Sequence, residues 1–99
     1  MYVIREVLHC KPGKVRSMVE KFHVISRVLK EKQHAPLRLL TDVTGEPYWT
    51  LVAEATVERI EDFFTMEQAL TSNESVGKAM ADYHDLVESG RREIYRIEH

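Results

Sequence analysis

Apolar and polar residues first alternate over Tyr2–His9, then apolar residues recur at helical spacing over Pro12–Lys32. Alternation returns over Leu37–Val43 and Tyr48–Ala55, two segments split by the turn residues Thr44-Gly45-Glu46-Pro47. Helical spacing resumes over Val57–Glu88, and a last alternating segment runs over Arg92–Glu98. Two strand–helix–strand units interleaved in this way give the order βαββαβ, the split-βαβ or ferredoxin-like arrangement. The predicted fold is α+β: a four-stranded antiparallel sheet with its helices on one face. The chain reads as one such domain over residues 1–99.

Within the first strand, Tyr2, Ile4, Glu6 and Leu8 share one face, while Val3, Arg5, Val7 and His9 share the other. Both faces are largely apolar, which suits a central strand covered on both sides. Each face carries a charged exception. The first helix follows Lys11-Pro12-Gly13-Lys14 and aligns Val15, Met18, Val19, Phe22, Ile25 and Leu29 on one stripe. It should fray before Pro36, because a residue preceding proline avoids the α region. In the hairpin, Trp49, Leu51 and Ala53 should point one way and Tyr48, Thr50, Val52 and Glu54 the other. The second helical region breaks at Thr71-Ser72-Asn73, which offers N-caps for a second piece carrying Val76, Met80, Tyr83 and Val87, with Gly90 placed as its C-cap.

An antiparallel sheet with helices on one face leaves the other bare, and an apolar bare face needs a cover. A second copy related by a two-fold axis is the simplest, so a homodimer through the open sheet face is expected. Net charge is −2 and no basic stripe is present, which disfavours nucleic acid as a partner. Recognition of RNA on the sheet would need exposed aromatics beside basic residues. No apolar run reaches transmembrane length, and Arg5 and Glu6 interrupt any signal-peptide pattern, so no membrane association is expected. Cys10 is the single cysteine and has no disulfide partner within the chain, which reads as cytoplasmic. Its neighbours Lys11 and Lys14 would lower its pKa. His9, His23, His34, His84 and His99 lack close ligand spacing, and Gly13, Gly45, Gly77 and Gly90 are isolated, so neither a metal, a nucleotide nor another cofactor is expected.

The segment Val7-Leu8-His9-Cys10-Lys11-Pro12-Gly13-Lys14 resembles the strand-then-Pro-Gly-Lys opening of the dimeric α/β-barrel superfamily, which includes the antibiotic-biosynthesis monooxygenases and the NIPSNAP-like proteins. The end of the chain, Leu86-Val87-Glu88-Ser89-Gly90-Arg91-Arg92-Glu93-Ile94-Tyr95, is similar to the last strand of NIPSNAP-like members, and Tyr48-Trp49-Thr50-Leu51 and Phe63-Phe64 fit between the two. The resemblance implies a ferredoxin-like protomer, a dimeric barrel and a pocket between sheet and helices. The superfamily spans cofactor-independent monooxygenases, haem-degrading enzymes, isomerases and proteins without known activity, so fold does not choose the chemistry.

Glu6 corresponds in the resemblance to a strand position facing the pocket. Haem-degrading members carry asparagine there, so an acid speaks against haem degradation. Glu6 reads either as a catalytic base with a raised pKa or as the partner of Arg92 or Arg96. His84 is the other candidate base, since some haem-degrading members place an iron-binding histidine on the equivalent helix; the alternative is a boundary histidine bonded to solvent or a carboxylate. Trp49 and Tyr48 are candidate walls for a flat apolar or aromatic ligand, or else packing residues. Tyr83 would lend its hydroxyl to a ligand, or serve as core with a wet tip. Arg92 would hold a ligand carboxylate, or pair across strands with Glu6 or Glu54. Met18, Phe22, Phe63, Phe64 and Met80 read as core. These residues frame a small-molecule protein, either a cofactor-independent monooxygenase or isomerase acting on a small aromatic or acidic substrate, or a non-catalytic binding, stress-related or structural dimer.

Overall fold

A computed structural model describes residues 1–45 and 47–98, which leaves Glu46 of the predicted turn and His99 outside the described residues. Strand β1 (Tyr2–Cys10) leads into helix α1 (Val15–Glu31), strands β2 (Arg38–Thr41) and β3 (Thr50–Val57), helices α2 (Ile60–Thr71) and α3 (Glu74–Ala79), a short 3₁₀ turn (Tyr83–Asp85) and strand β4 (Val87–Arg96). The sheet has four strands in the order β2-β3-β1-β4, and its neighbours pair antiparallel. This is the ferredoxin-like α+β architecture expected from the order of elements.

Local chemistry sets the boundaries. Gly13 takes the left-handed conformation (φ +79°) in the turn before α1, so the helix begins at Val15, after Pro12. At the far end, Gln33 is also left-handed (φ +60°). Its N–H donates to Lys30 O and that of His34 to Leu29 O, the two bonds of a Schellman stop, which ends the helix ahead of Pro36. The hairpin is shifted from the expected Tyr48–Ala55. Trp49 has φ +63°, which a regular strand cannot accommodate, so β3 begins at Thr50 and includes Val57. Asp42 Oδ1 accepts from Thr50 N–H at 2.7 Å and fixes that start.

The second helical region divides where Thr71-Ser72-Asn73 predicts, and the Asn73 side chain accepts from Val76 N–H at 3.1 Å as an N-cap. The second piece is much shorter than the expected run to Glu88. Lys21 of α1 donates to Ala79 O at 2.6 Å and pairs with Asp82, which holds the chain in a stop directly after α3. A cation at a helix C-terminus satisfies a free carbonyl and complements the dipole. Gly90 is therefore no C-cap. It lies in β4 opposite Leu8, where an added Cβ would come within 2.9 Å of Leu8 Cδ2. The last strand starts five residues before the expected Arg92, because Val87, Ser89, Gly90 and Arg91 already pair with β1, with a register shift at Glu88.

The core lies between sheet and helices. Met18, Phe22, Ile25 and Leu29 of α1 pack on Ile4, Leu8, Leu51, Ala53 and Ala55 of the sheet. The opposite face differs from the apolar surface expected. Val3, Val7, Leu40, Val52 and Tyr95 lie there, but a row of ion pairs runs across the middle. Arg38 bonds Glu54 at 2.6 Å, Arg5 lies 3.4 Å from Glu54 and 3.5 Å from Glu93, and Arg91 bonds Glu93 at 2.7 Å. The Arg91 hydrogen bond, joined by the nearby guanidinium charges, holds the Glu93 carboxyl below its usual range.

Candidate functional site

Alternation in β1 puts Glu6 between Ile4 and Leu8 on the helix-facing side, opposite Ala53 on β3 and Arg92 on β4. Ala53 and Ala55 are the small residues at the middle of that face. They leave room beneath α1 and α2 that a larger side chain would fill. The result is a partly open cavity of about 230 Å³. Its floor is Ile4, Leu8, Ala53 and Ala55; Phe22, Ile25 and Leu29 of α1 and Phe63, Met66 and Leu70 of α2 form the walls, and Met80 and Tyr83 close one end. Among sixteen lining residues only Glu6, Glu67 and Arg92 are charged. An apolar chamber with a few convergent polar groups is the usual form of a small-ligand site, and this volume lies just below the usual range of about 300–1,000 Å³, which suits only a small ligand.

The charged residues meet at the mouth. Arg92 Nε donates to Glu6, its Nη2 donates to Glu67, and its guanidinium carbon lies 4.9 Å from the centre of the Phe63 ring. The three side chains are between 30 and 41% exposed, so the cluster is half in water. Burial pulls the Arg92 pKa down, but the hydrogen bonds and charges of Glu6 and Glu67 outweigh it and the net shift is upward. Glu6, Leu8, Tyr83 and Arg92 also line a shallower outer groove with Gly90 and Arg91, so the ion pair stands at the boundary between chamber and solvent.

Of the sequence-derived candidates, the fold brings together Glu6, Arg92 and Tyr83. Of the ion-pair partners considered for Glu6 and Arg92, the fold pairs the two with each other. Glu6 bonds Arg92, while Glu54 lies on the other sheet face with Arg5 and Arg38. His84 is exposed in the 3₁₀ turn, its ring 5.0 Å from that of Tyr83, and it does not line the chamber. Tyr48 and Trp49 are exposed in the loop before β3 and do not reach it either. The aromatic walls are instead Phe22, Phe63 and Tyr83, and Met80 joins them, so three residues read as core line the chamber. Phe64, by contrast, is 55% exposed.

Glu67 was not anticipated. Its signal is its place four residues after Phe63 and three before Leu70, which sets a charge on an otherwise apolar helical stripe. Cys10 departs from expectation as well: it is 3% exposed, and burial pushes its thiol up rather than Lys11 and Lys14 drawing it down. Among the described residues, no three His, Cys, Asp or Glu side chains converge as metal ligands, and no helix is long and apolar enough to cross a membrane.

The fold and chamber define a ferredoxin-like α+β domain with a cleft between its sheet and helices. No protein-family model and no curated relative matches the chain. Solved structures do. An uncharacterized NIPSNAP-like domain protein from Burkholderia xenovorans superposes with a TM-score of 0.81 at 15% identity, over 98% of this chain and 84% of that one. A NIPSNAP family protein from Agrobacterium tumefaciens gives 0.77 at 12% identity, over 96% and 90%. A candidate antibiotic biosynthesis monooxygenase from Nitrosomonas europaea gives 0.75 at 14% identity, over 100% of both chains. The chain therefore has the fold shared by NIPSNAP and antibiotic biosynthesis monooxygenase-like proteins, which is the likeness its first and last segments carry. At these identities the likeness is one of fold.

Proposed function

We propose that this protein binds a small, largely apolar molecule in the chamber between its sheet and helices. The observation that supports this most directly is the chamber itself: about 230 Å³, walled by aliphatic and aromatic side chains, with its charged residues gathered at one mouth. A chain that needed only a packed core would gain by filling this space, since interiors pack to high density and an empty apolar void costs dispersion contacts. The same reading has the protein act in the cytoplasm as a homodimer through its open sheet face. Val3, Leu40, Val52 and Tyr95 would supply the apolar contacts and the row from Arg38 to Arg91 the polar ones.

A catalytic version of this reading, an isomerase or cofactor-independent monooxygenase, rests on Glu6, the carboxylate that both faces the chamber and belongs to the first strand. Glu6 would take a proton from the bound molecule. Return of that proton to a different carbon is isomerisation, and reaction of the carbanion with molecular oxygen begins a monooxygenation. Arg92 already occupies one carboxylate oxygen of Glu6, which favours binding over catalysis.

Native mass spectrometry of protein purified without denaturation tests both parts. The expected spectrum is a dimer carrying extra small-molecule mass. A bare dimer would keep the assembly and count against an occupied chamber; a bare monomer at micromolar concentration would contradict the proposal as a whole.

A further inference from the structure

The charges at the mouth favour one ligand class over another. Two carboxylates, Glu6 and Glu67, converge on one guanidinium, Arg92, which leaves a negative charge in excess where the apolar chamber meets solvent. Arg92 has little left to grip an acid: its Nε and Nη2 are given to Glu6 and Glu67, its guanidinium carbon lies 4.9 Å from the centre of the Phe63 ring, and Nη1 remains as the nitrogen not given to these carboxylates. Each carboxylate, by contrast, uses one oxygen on Arg92 and keeps accepting capacity on the other. The phenol group of Tyr83 also stands beside this mouth, and Arg91, which shares the outer groove, is given to Glu93 and His9.

We infer that the chamber selects small apolar molecules whose polar end donates hydrogen bonds, an amine or a hydroxyl, and discriminates against those ending in a carboxylate. The inference rests on the chamber being a binding site. It reverses the expectation that Arg92 holds a ligand acid. A ligand carboxylate entering here would meet the surplus negative charge, and it could bond Arg92 through Nη1 alone, beside two carboxylates, or bidentately by displacing Glu6 or Glu67. A donor group meets free carboxylate oxygens and displaces nothing. Like charge across a recognition site rejects the wrong partner, as opposite charge attracts the right one.

Three compounds of nearly equal shape separate the cases: phenethylamine, phenethyl alcohol and phenylacetate, titrated into the intact protein near neutral pH by ligand-observed NMR or calorimetry. The amine should bind about fivefold or more tightly than phenylacetate, a modest ratio because the mouth is half in water, with the alcohol between them. Glu67→Gln removes the excess charge while Glu6 and Arg92 remain paired, and it should narrow the ratio mainly by strengthening phenylacetate. Equal affinities, or phenylacetate binding tightest, would overturn the selectivity while leaving the chamber as a site. Failure of all three to bind, the neutral alcohol included, would overturn the chamber reading and the selectivity with it. A ratio unchanged in a folded Glu67→Gln protein would show that this cluster does not set it.

Discussion

Replacing Arg92 with glutamine removes the cation that joins Glu6 to Glu67, while keeping a polar, uncharged though shorter side chain on β4. Two ion pairs are lost, each between side chains 30 to 41% exposed, where solvent screening holds a pair to about 1 kcal/mol or less. The contact with the Phe63 ring contributes about another 0.5 kcal/mol. The variant also leaves two carboxylates facing each other with nothing between them. Together these predict a loss of about 2 kcal/mol, and at about 4–8 °C per kcal/mol for a domain of this size, Tm should fall by about 8–16 °C. Thermal and urea unfolding followed by far-ultraviolet circular dichroism measures it. The double variant Arg92→Gln, Glu6→Gln should recover part of the loss, because the remaining carboxylate no longer faces a like charge. Arg59→Gln is the comparison: its contacts to Glu61 and Asp62 are 3.7 and 4.0 Å long at 70% exposure, and its Tm should barely move. A drop in Arg92→Gln no larger than that of Arg59→Gln would refute the ion-pair cluster as a structural element of the mouth.

Gln33→Gly should raise stability by about 0.5–1 kcal/mol in urea unfolding, since it relieves a left-handed conformation at the stop of α1; a loss would mean the Gln33 side chain makes a contact that outweighs the strain. Cys10 should react with a thiol reagent only as fast as the protein opens, because its sulfur is buried and its pKa is raised; full labelling of native protein within minutes at neutral pH would contradict this placement. Acid should destabilise the fold through Asp82 and Glu93, whose folded pKa values lie below their ordinary ones, mainly because of hydrogen bonds from Lys21 and Arg91. Their contribution is complete above the ordinary carboxylate pKa of about 4 and disappears as pH falls through the lower folded values. Tm should therefore fall less steeply below about pH 5 in the variant Asp82→Asn, Glu93→Gln than in the parent, and parallel curves would exclude the two residues as the cause.

The order and type of the elements were legible because each strand and helix carries its own period: Ile4 and Leu8 alternate with Val3, Val7 and His9, and Met18, Phe22, Ile25 and Leu29 recur on one stripe. Boundaries were less so, since they depend on single backbone conformations and distant partners. Nothing in the hairpin sequence announces that Trp49 is left-handed. Nor does the helical spacing of Val76, Met80, Tyr83 and Val87 disclose that Lys21 and Asp82 stop α3 after Ala79. Strand parity grouped Glu6 with Ile4 and Leu8, and the resemblance turned that position towards the pocket, but the partner of Arg92 stayed open between Glu6 and Glu54 because register between strands is not written in either one. Tyr48, Trp49 and His84 drew attention as chemically capable residues, but capability carries no address, and all three are exposed away from the chamber. The alanines that make room for the chamber, Ala53 and Ala55, read in sequence only as small strand residues.

The central claim is that a small molecule occupies the helix-facing side of the sheet. Side-chain methyl NMR during titration with phenethyl alcohol tests it most directly, because the two sheet faces carry separate methyl reporters. Saturable shifts at Ile4, Leu8, Ile25, Leu29 and Leu70, with Val3, Leu40 and Val52 unmoved, are the expected result, and Ala53→Leu, which fills the floor of the chamber, should abolish them. Shifts confined to Val3, Leu40 and Val52, or shifts that persist unchanged in Ala53→Leu, would contradict the account.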